Sequence, residues 1–272
     1  MNLLELIANG LSSFVLACLI FLPLERLLLL RSEQKIFRRR WKTDLVHVFA
    51  TGFLYRLGTI LLISLTIFYL ARLIPGSIHA AVATQPVWLA LVEVLVIADL
   101  GFYFVHRAFH AIPWLWRFHA IHHSIEEMDF LAAHRVHPID QILTRGVTLI
   151  PVFLLGFSLE AILLFGIVYQ WQSLLIHSNV RVGFGPLRWI VASPAFHHWH
   201  HANQPEAIDK NFAGQLSVID FLFGTAYLPR GKTPRKYGID DPVPASYLSQ
   251  LAYPLERYQV AGVRSVIVGR RP

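Results

Sequence analysis

Long apolar runs limit what this chain can fold into more than any other feature. Residues 3–30, 45–74, 87–105 and 142–176 are almost wholly hydrophobic, and roughly 20 such residues are what one helical bilayer crossing requires. The first run carries Glu5 and Asn9 early and Pro23, Glu25 and Arg26 near its end, with residues 11–22 clean between them. It is too long for a signal-peptide core and has no small-residue cleavage site. In the second, residues 57–74 are clean enough to span. The fourth is longer than one crossing at about 1.5 Å per residue, which predicts a helical hairpin turning near Gly156–Glu160. With 55% hydrophobic and 15% charged residues, far from soluble averages, the expected fold is all-α: an integral membrane helical bundle of about four spans.

Charge orients the bundle. Arg31, Lys35, Arg38, Arg39, Arg40 and Lys42 face Glu33 alone, whereas residues 75–86 contain no Lys, Arg, Asp or Glu. The positive-inside rule then makes residues 31–42 cytoplasmic and residues 75–86 the opposite side. These basic residues flank apolar spans and form no soluble face, so no nucleic-acid partner is expected. The single cysteine, Cys18, excludes a disulfide framework and a thiolate metal site.

Twelve of the 14 histidines lie between His106 and His201. Nine of them form HRAFH (His106, His110), HAIHH (His119, His122, His123) and HHWHH (His197, His198, His200, His201). Residues three or four apart share a helix face, so each cluster points its imidazoles together, and imidazole is the commonest nitrogen ligand for iron, zinc, copper and nickel. Eight such histidines exceed the three or four that one zinc needs, so two metals fit better. The third run ends at His106 on the cytoplasmic side and the hairpin returns His177 to the same side, which gathers every cluster at one membrane face. Asp99, Tyr103, His106 and His110 follow at i, i+4, i+7 and i+11 on one stripe. Asp99 is therefore expected to bond a ligand imidazole and fix its tautomer.

A histidine-rich two-metal centre beside a bilayer suits activation of O2 against an unactivated C–H bond, for which lipid chains are the available source. The order HRAFH, HAIHH, RVHP, IHSN and FHHWHH resembles the fatty acid hydroxylase/sterol desaturase superfamily of integral-membrane di-iron enzymes. The likeness runs from about Pro23 to Pro229. It takes in LPLER and RRRWKTDL before the clusters, and EAIDKNFAG and FGTAYLP after them.

The resemblance implies an O2-dependent oxidoreductase that hydroxylates or desaturates a sterol, fatty acyl chain or related lipid. It implies two Fe ions, which zinc can replace in purified protein. The implied metal ligands are His106, His110, His119, His122, His123, His197, His200 and His201, with His177 in IHSN and His137 in RVHP added. His198 fills a spacer position. Fungal relatives carry a further histidine where this chain has Ser173, which leaves a tenth ligand open. Asp99 and Tyr103 are the candidate catalytic side chains behind the ligands, and Asn179, Asp209 and Asn211 are candidates for orienting them.

No haem-binding domain, flavin fingerprint or iron–sulfur cysteine set is present in the sequence, so a separate electron donor is expected: a cytochrome b5-like protein, a ferredoxin or a reductase. A single domain over residues 1–272 is expected. It divides into three membrane segments (1–105), the first two clusters (106–140), the hairpin (141–178) and a cytoplasmic cap with the third cluster and a basic tail (179–272). The bacterial inner membrane is the expected location, with the metal site facing the cytoplasm. The competing reading is a non-catalytic membrane protein that binds metal or lipid.

Overall fold

The computed structural model describes residues 3–256, and the end of the expected basic tail, residues 257–272, lies outside them. Among the described residues, five helical stretches are long and apolar enough to cross a membrane: α1 (Leu3–Leu27), the stretch Trp41–Leu73, α5 (Val87–Ala111), α7 (Pro138–Leu155) and α8 (Leu159–His177). The second stretch consists of α2 (Trp41–Val46), a π-helical turn His47–Thr51, α3 (Gly52–Leu70) and a final 3-10 turn. The fourth apolar run forms its hairpin as expected. Gly156, at φ 81°, ends α7 in the left-handed region, and the Ser158 hydroxyl accepts the Ala161 N–H to start α8. Large side chains such as Leu19, Phe68, Trp88 and Leu163 are more than half exposed on these stretches, as lipid-facing surface must be.

Burying a side chain against another helix gains little over burying it in lipid, so close backbone approach matters more than apolar area. Ala90, Val94 and Ala98 of α5 pack with Val152 of α7 and with Ala161 and Phe165 of α8. A Cβ at Gly101 would stand 3.1 Å from the Val147 carbonyl, and one at Gly58 would collide with Ile142. Glycine thus allows the close approach of α5 and α3 to α7.

The shorter helices α4 (Gly76–Ala83), α6 (Pro113–His123), α9 (Pro194–His200), α10 (Val218–Phe223) and α11 (Tyr247–Ala252) complete the chain. Of these, α6, α9, α10 and the loops between them cover one end of the bundle. Buried ionic contacts fasten this cover. Arg38 donates to Asp44 and Asp129 at 2.6 Å each, and Arg135 grips Asp44 at 2.5 and 2.9 Å. Burial opposes the Arg38 charge, but the two carboxylates more than offset it and raise its pKa. The basic run at residues 31–42 is therefore not a uniformly solvated surface. Glu25, at the end of α1, accepts the backbone N–H of Phe130 at 2.8 Å and of Asn179 at 3.0 Å. His79 bonds the Leu154 carbonyl at 2.7 Å, at the end of α7 opposite the histidine clusters.

Candidate metal centre

Each histidine cluster sits on a helix end that the local sequence defines. HRAFH closes α5, HAIHH closes α6 behind Pro113 at its first turn, and His177 is the last residue of α8. In α9 the Ser193 hydroxyl accepts the Phe196 N–H, and Pro194 sits in the first turn. The four helices bring nine histidines into two groups. His106, His110, His119, His123 and His200 form one, and His122, His177, His197 and His201 the other. Within each group the ligand nitrogens lie within 4.8 Å of one another.

The two HxxHH clusters divide between the groups, contrary to the expectation that each points one way. An i, i+4 pair is offset by about 40° and an i, i+3 pair by about 60° the other way, so adjacent histidines diverge by about 100°. His119 and His123 therefore join the first group while His122 joins the second. His197 and His201 join the second while His200 joins the first. The groups adjoin, with the His123 and His201 rings stacked at 4.6 Å between centroids.

The outer ring nitrogens are held from behind. His106 Nδ1 donates to the Phe212 carbonyl at 2.6 Å, His200 Nδ1 to Lys210 at 2.8 Å, His122 Nδ1 to Arg135 at 3.1 Å and His177 Nδ1 to Ser173 at 2.7 Å. Carboxylates serve two more: Asp140 on His119 at 2.7 Å and Asp209 on His110 at 3.3 Å. A carbonyl oxygen only accepts, so these imidazoles carry their proton on Nδ1 and turn the Nε2 lone pair inward. Yet Nε2 of His122 and Nε2 of His177 are 3.2 Å apart, and those of His106 and His119 are 2.9 Å apart. Lone pairs facing at such distances repel unless a cation lies between them. Nε2 of His200 and Nδ1 of His197 and His201 are buried without a hydrogen-bond partner. Burial first, and then the neighbouring imidazoles, push His119, His122, His123, His197, His200 and His201 well below the usual histidine range. Neutral nitrogens converging in this way fit metal ions, one per group.

Not every sequence candidate reaches this centre. Asp99 bonds no imidazole: its carboxylate takes the backbone N–H groups of Gly214, Gln215 and Leu216 at 3.0, 2.9 and 2.6 Å. Its place on the α5 stripe is as expected, but the strap at residues 212–216 comes between it and the ligands. Tyr103 packs beneath the same strap, against Phe212, with its hydroxyl 3.1 Å from Thr225 Oγ1. His137 belongs to neither group. Its Nδ1 caps α7 by accepting the Ile139 N–H, and its Nε2 meets the Leu251 carbonyl at 3.3 Å.

Asn179 ties α8 to the backbone of Arg31, with bonds of 3.0 and 3.1 Å. Asn211 joins the Phe196 carbonyl to the backbone of Tyr227. Only Asp209 of the three orienting candidates meets an imidazole. His198 turns away to Tyr237 and the Ser178 carbonyl, and Ser173 contributes its carbonyl to His177. Asp140 and Asp220, which were not singled out in the sequence, serve the centre. Asp220 accepts the Phe212 and Ala213 N–H groups at 2.8 and 2.7 Å and so aims the carbonyl that holds His106.

The chain can be compared with known proteins on this footing. Residues 90–225 match the fatty acid hydroxylase family. Over 178 residues, 65% of the chain, it is 36% identical to ornithine lipid hydroxylase OlsE of Rhizobium tropici, covering 53% of that protein. It is 32% identical over 157 residues to alkylglycerol monooxygenase of Xenopus tropicalis and 35% identical over 147 residues to that of Homo sapiens. These two matches cover 57% and 53% of the chain, and 33% and 32% of the relatives. The chain thus matches about half the length of the first relative and a third of the others. No solved structure matches.

Proposed function

Because the chain belongs to the fatty acid hydroxylase family, we propose that it is an integral membrane lipid oxygenase. The five-histidine and four-histidine groups would each hold one iron. The observation that carries this is the set of inward Nε2 lone pairs, held in place by Nδ1 donation to carbonyls and carboxylates. When bound, the two irons would reduce O2 so that one oxygen enters a lipid C–H bond and the other leaves as water, with two electrons and two protons from a separate donor.

The protein's part is positioning and exclusion of water. Phe212, Lys210, Arg135 and Ser173 fix ligand tautomers through their carbonyls, and Asp140 adds a buried negative charge behind His119. Phe102, Phe109 and Ile176 give the cavity of about 50 Å³ beside the histidines an apolar part to its wall. Relatives named as ornithine lipid hydroxylase and alkylglycerol monooxygenase support a lipid as substrate. A bacterial relative is consistent with the bacterial inner membrane, and the basic run at residues 31–42 against the uncharged residues 75–86 supports a centre on the cytoplasmic face.

Counting metal on detergent-purified protein tests the reading, beside His122→Ala and His200→Ala, one variant from each group. After growth in iron-rich, zinc-poor medium, about two irons per chain are expected, one in each single variant and none in the double. Zinc found after ordinary growth would reflect replacement of iron during expression. No bound metal under either condition would overturn the di-iron centre in favour of a lipid-binding role.

A further inference from the structure

Arg145 lies on α7, within a membrane-crossing stretch. Among the described residues it has no carboxylate partner within ion-pair distance. Its guanidinium sits 4.3 Å over the Tyr169 ring and 5.9 Å from that of Tyr55, and its Nε is buried with no hydrogen-bond partner. Two tyrosine faces attract a cation but leave its N–H donors unused. An arginine in such a segment is costly and usually serves a site.

Arg145 lines a polar chamber of about 40 Å³ that lies between two other spaces. On one side Ala133, Val136, Gln141, Tyr169 and Ser173 are shared walls with the metal cavity. On the other, Tyr55, His134 and Gln170 are shared walls with a cleft of about 960 Å³ between α1, α3 and α8. That cleft is lined mainly by apolar side chains such as Phe14, Phe49 and Leu163, with Arg56 in its wall. Gly10, Gly52 and Gly166 also line it, and a Cβ at any of them would meet nothing within 4 Å.

We propose that the cleft, the chamber and the metal cavity form one passage for an amphiphilic lipid, whose apolar chain lies in the cleft and whose anionic group is held by Arg145. The anion is a carboxylate or phosphate ester carried by the lipid itself. The carbons adjoining that group, and not the far end of the chain, then stand nearest the histidines. This rests on the lipid-oxygenase reading, so its test must not depend on metal or turnover.

Trp171 lines the cleft and reports occupancy directly. The full chain in uncharged detergent is titrated with a fatty acid brominated at mid-chain, above its pKa, and with the matching methyl ester. The signal is the quenching that disappears in Trp171→Phe. The acid is expected to half-quench at about ten- to a hundredfold lower concentration than the ester, as charge-assisted hydrogen bonding gives. Arg145→Gln should bring the acid to the ester's value while leaving the ester unchanged, which also certifies its fold. Arg145→Lys should keep part of the preference. Gly166→Phe should weaken both ligands by filling the cleft. Equal binding of acid and ester by the wild-type chain, an undiminished preference in Arg145→Gln, or no quenching of Trp171 would overturn the proposal. A chain with two irons that fails this test loses the passage alone, and one that passes without metal loses the di-iron centre alone.

Discussion

Asp44 offers the sharpest test of how the cover is fastened to the bundle. Its carboxylate is fully buried and receives Arg135 at 2.5 and 2.9 Å and Arg38 at 2.6 Å. Asp44→Leu leaves Arg38 with Asp129, but Arg135 keeps only a long 3.4 Å contact to the Ser124 carbonyl. Stranding one partner of a buried ion pair costs about 3–5 kcal/mol. For a chain of this size each kcal/mol lowers the unfolding midpoint by about 2 °C, so a fall of about 6–10 °C is expected. Removing both charges in Asp44→Leu/Arg135→Leu should restore at least half, because a well-packed apolar pair is often neutral in such a place. Thermal unfolding in one detergent, run as a double-mutant cycle, reads both quantities. A single variant within about 2 °C of wild type would refute the reasoning, as would a double variant no better than the single. Metal content gives a second readout. The Arg135 carbonyl holds His122 at 3.1 Å, so the single variant should lose the ion of the four-histidine group first.

Asp140→Asn can still accept the His119 Nδ1–H but lacks the charge. We expect metal affinity to fall about 10- to 100-fold in chelator competition with the fold unchanged, and unaltered affinity would remove Asp140 from the centre. Asp99→Ala frees three backbone N–H groups and should destabilise the chain by about 3 kcal/mol or more, as a stripped buried network does, with Asp99→Asn in between; equal midpoints for Ala and wild type would contradict this. His137 and His198 are each held near 4 by burial, against 6.5 ordinarily. Both stay neutral when folded but gain protons on unfolding below about 6.5. Their contribution is therefore complete above that pH and drains as the pH falls toward 4, by about 2 kcal/mol each at pH 5. His137→Asn/His198→Gln should flatten the stability curve between pH 5 and 7; a curve parallel to wild type would reject the assignment.

Much of this was legible in the residues. Apolar run length and the punctuation at Gly156 and Ser158 mark the hairpin, and the spacing of the clusters marks the histidines that converge. Which histidines share a group was not legible, because spacings of three and four both read as one face until the neighbouring helices select between them. The RVHP motif presents His137 as a ligand, yet helix capping claims its Nδ1. Asp99 lies on the right stripe, but nothing in its neighbours reveals the strap from residues 212–216 that takes its oxygens. Asp140 could have been noticed as a carboxylate opening an apolar helix, where an acid in a first turn has an ordinary explanation in the helix dipole. Arg135 and Asp44 are 91 residues apart, and only tertiary packing pairs them.

The division of each HxxHH cluster between two groups sets a timetable for biosynthesis. The first group takes His106 and His200, and the second takes His122 and His201. Once α6 has emerged the first group already has four of its five histidines, but the second has only His122 and waits for His177, His197 and His201. At about 5–20 residues per second, His122 would wait about 4–16 s for the histidines of α9. The second group would thus be completed only after every described membrane-crossing helix is made, whereas the first could begin to close earlier. The two groups therefore differ in when they can form, although they adjoin in the finished fold.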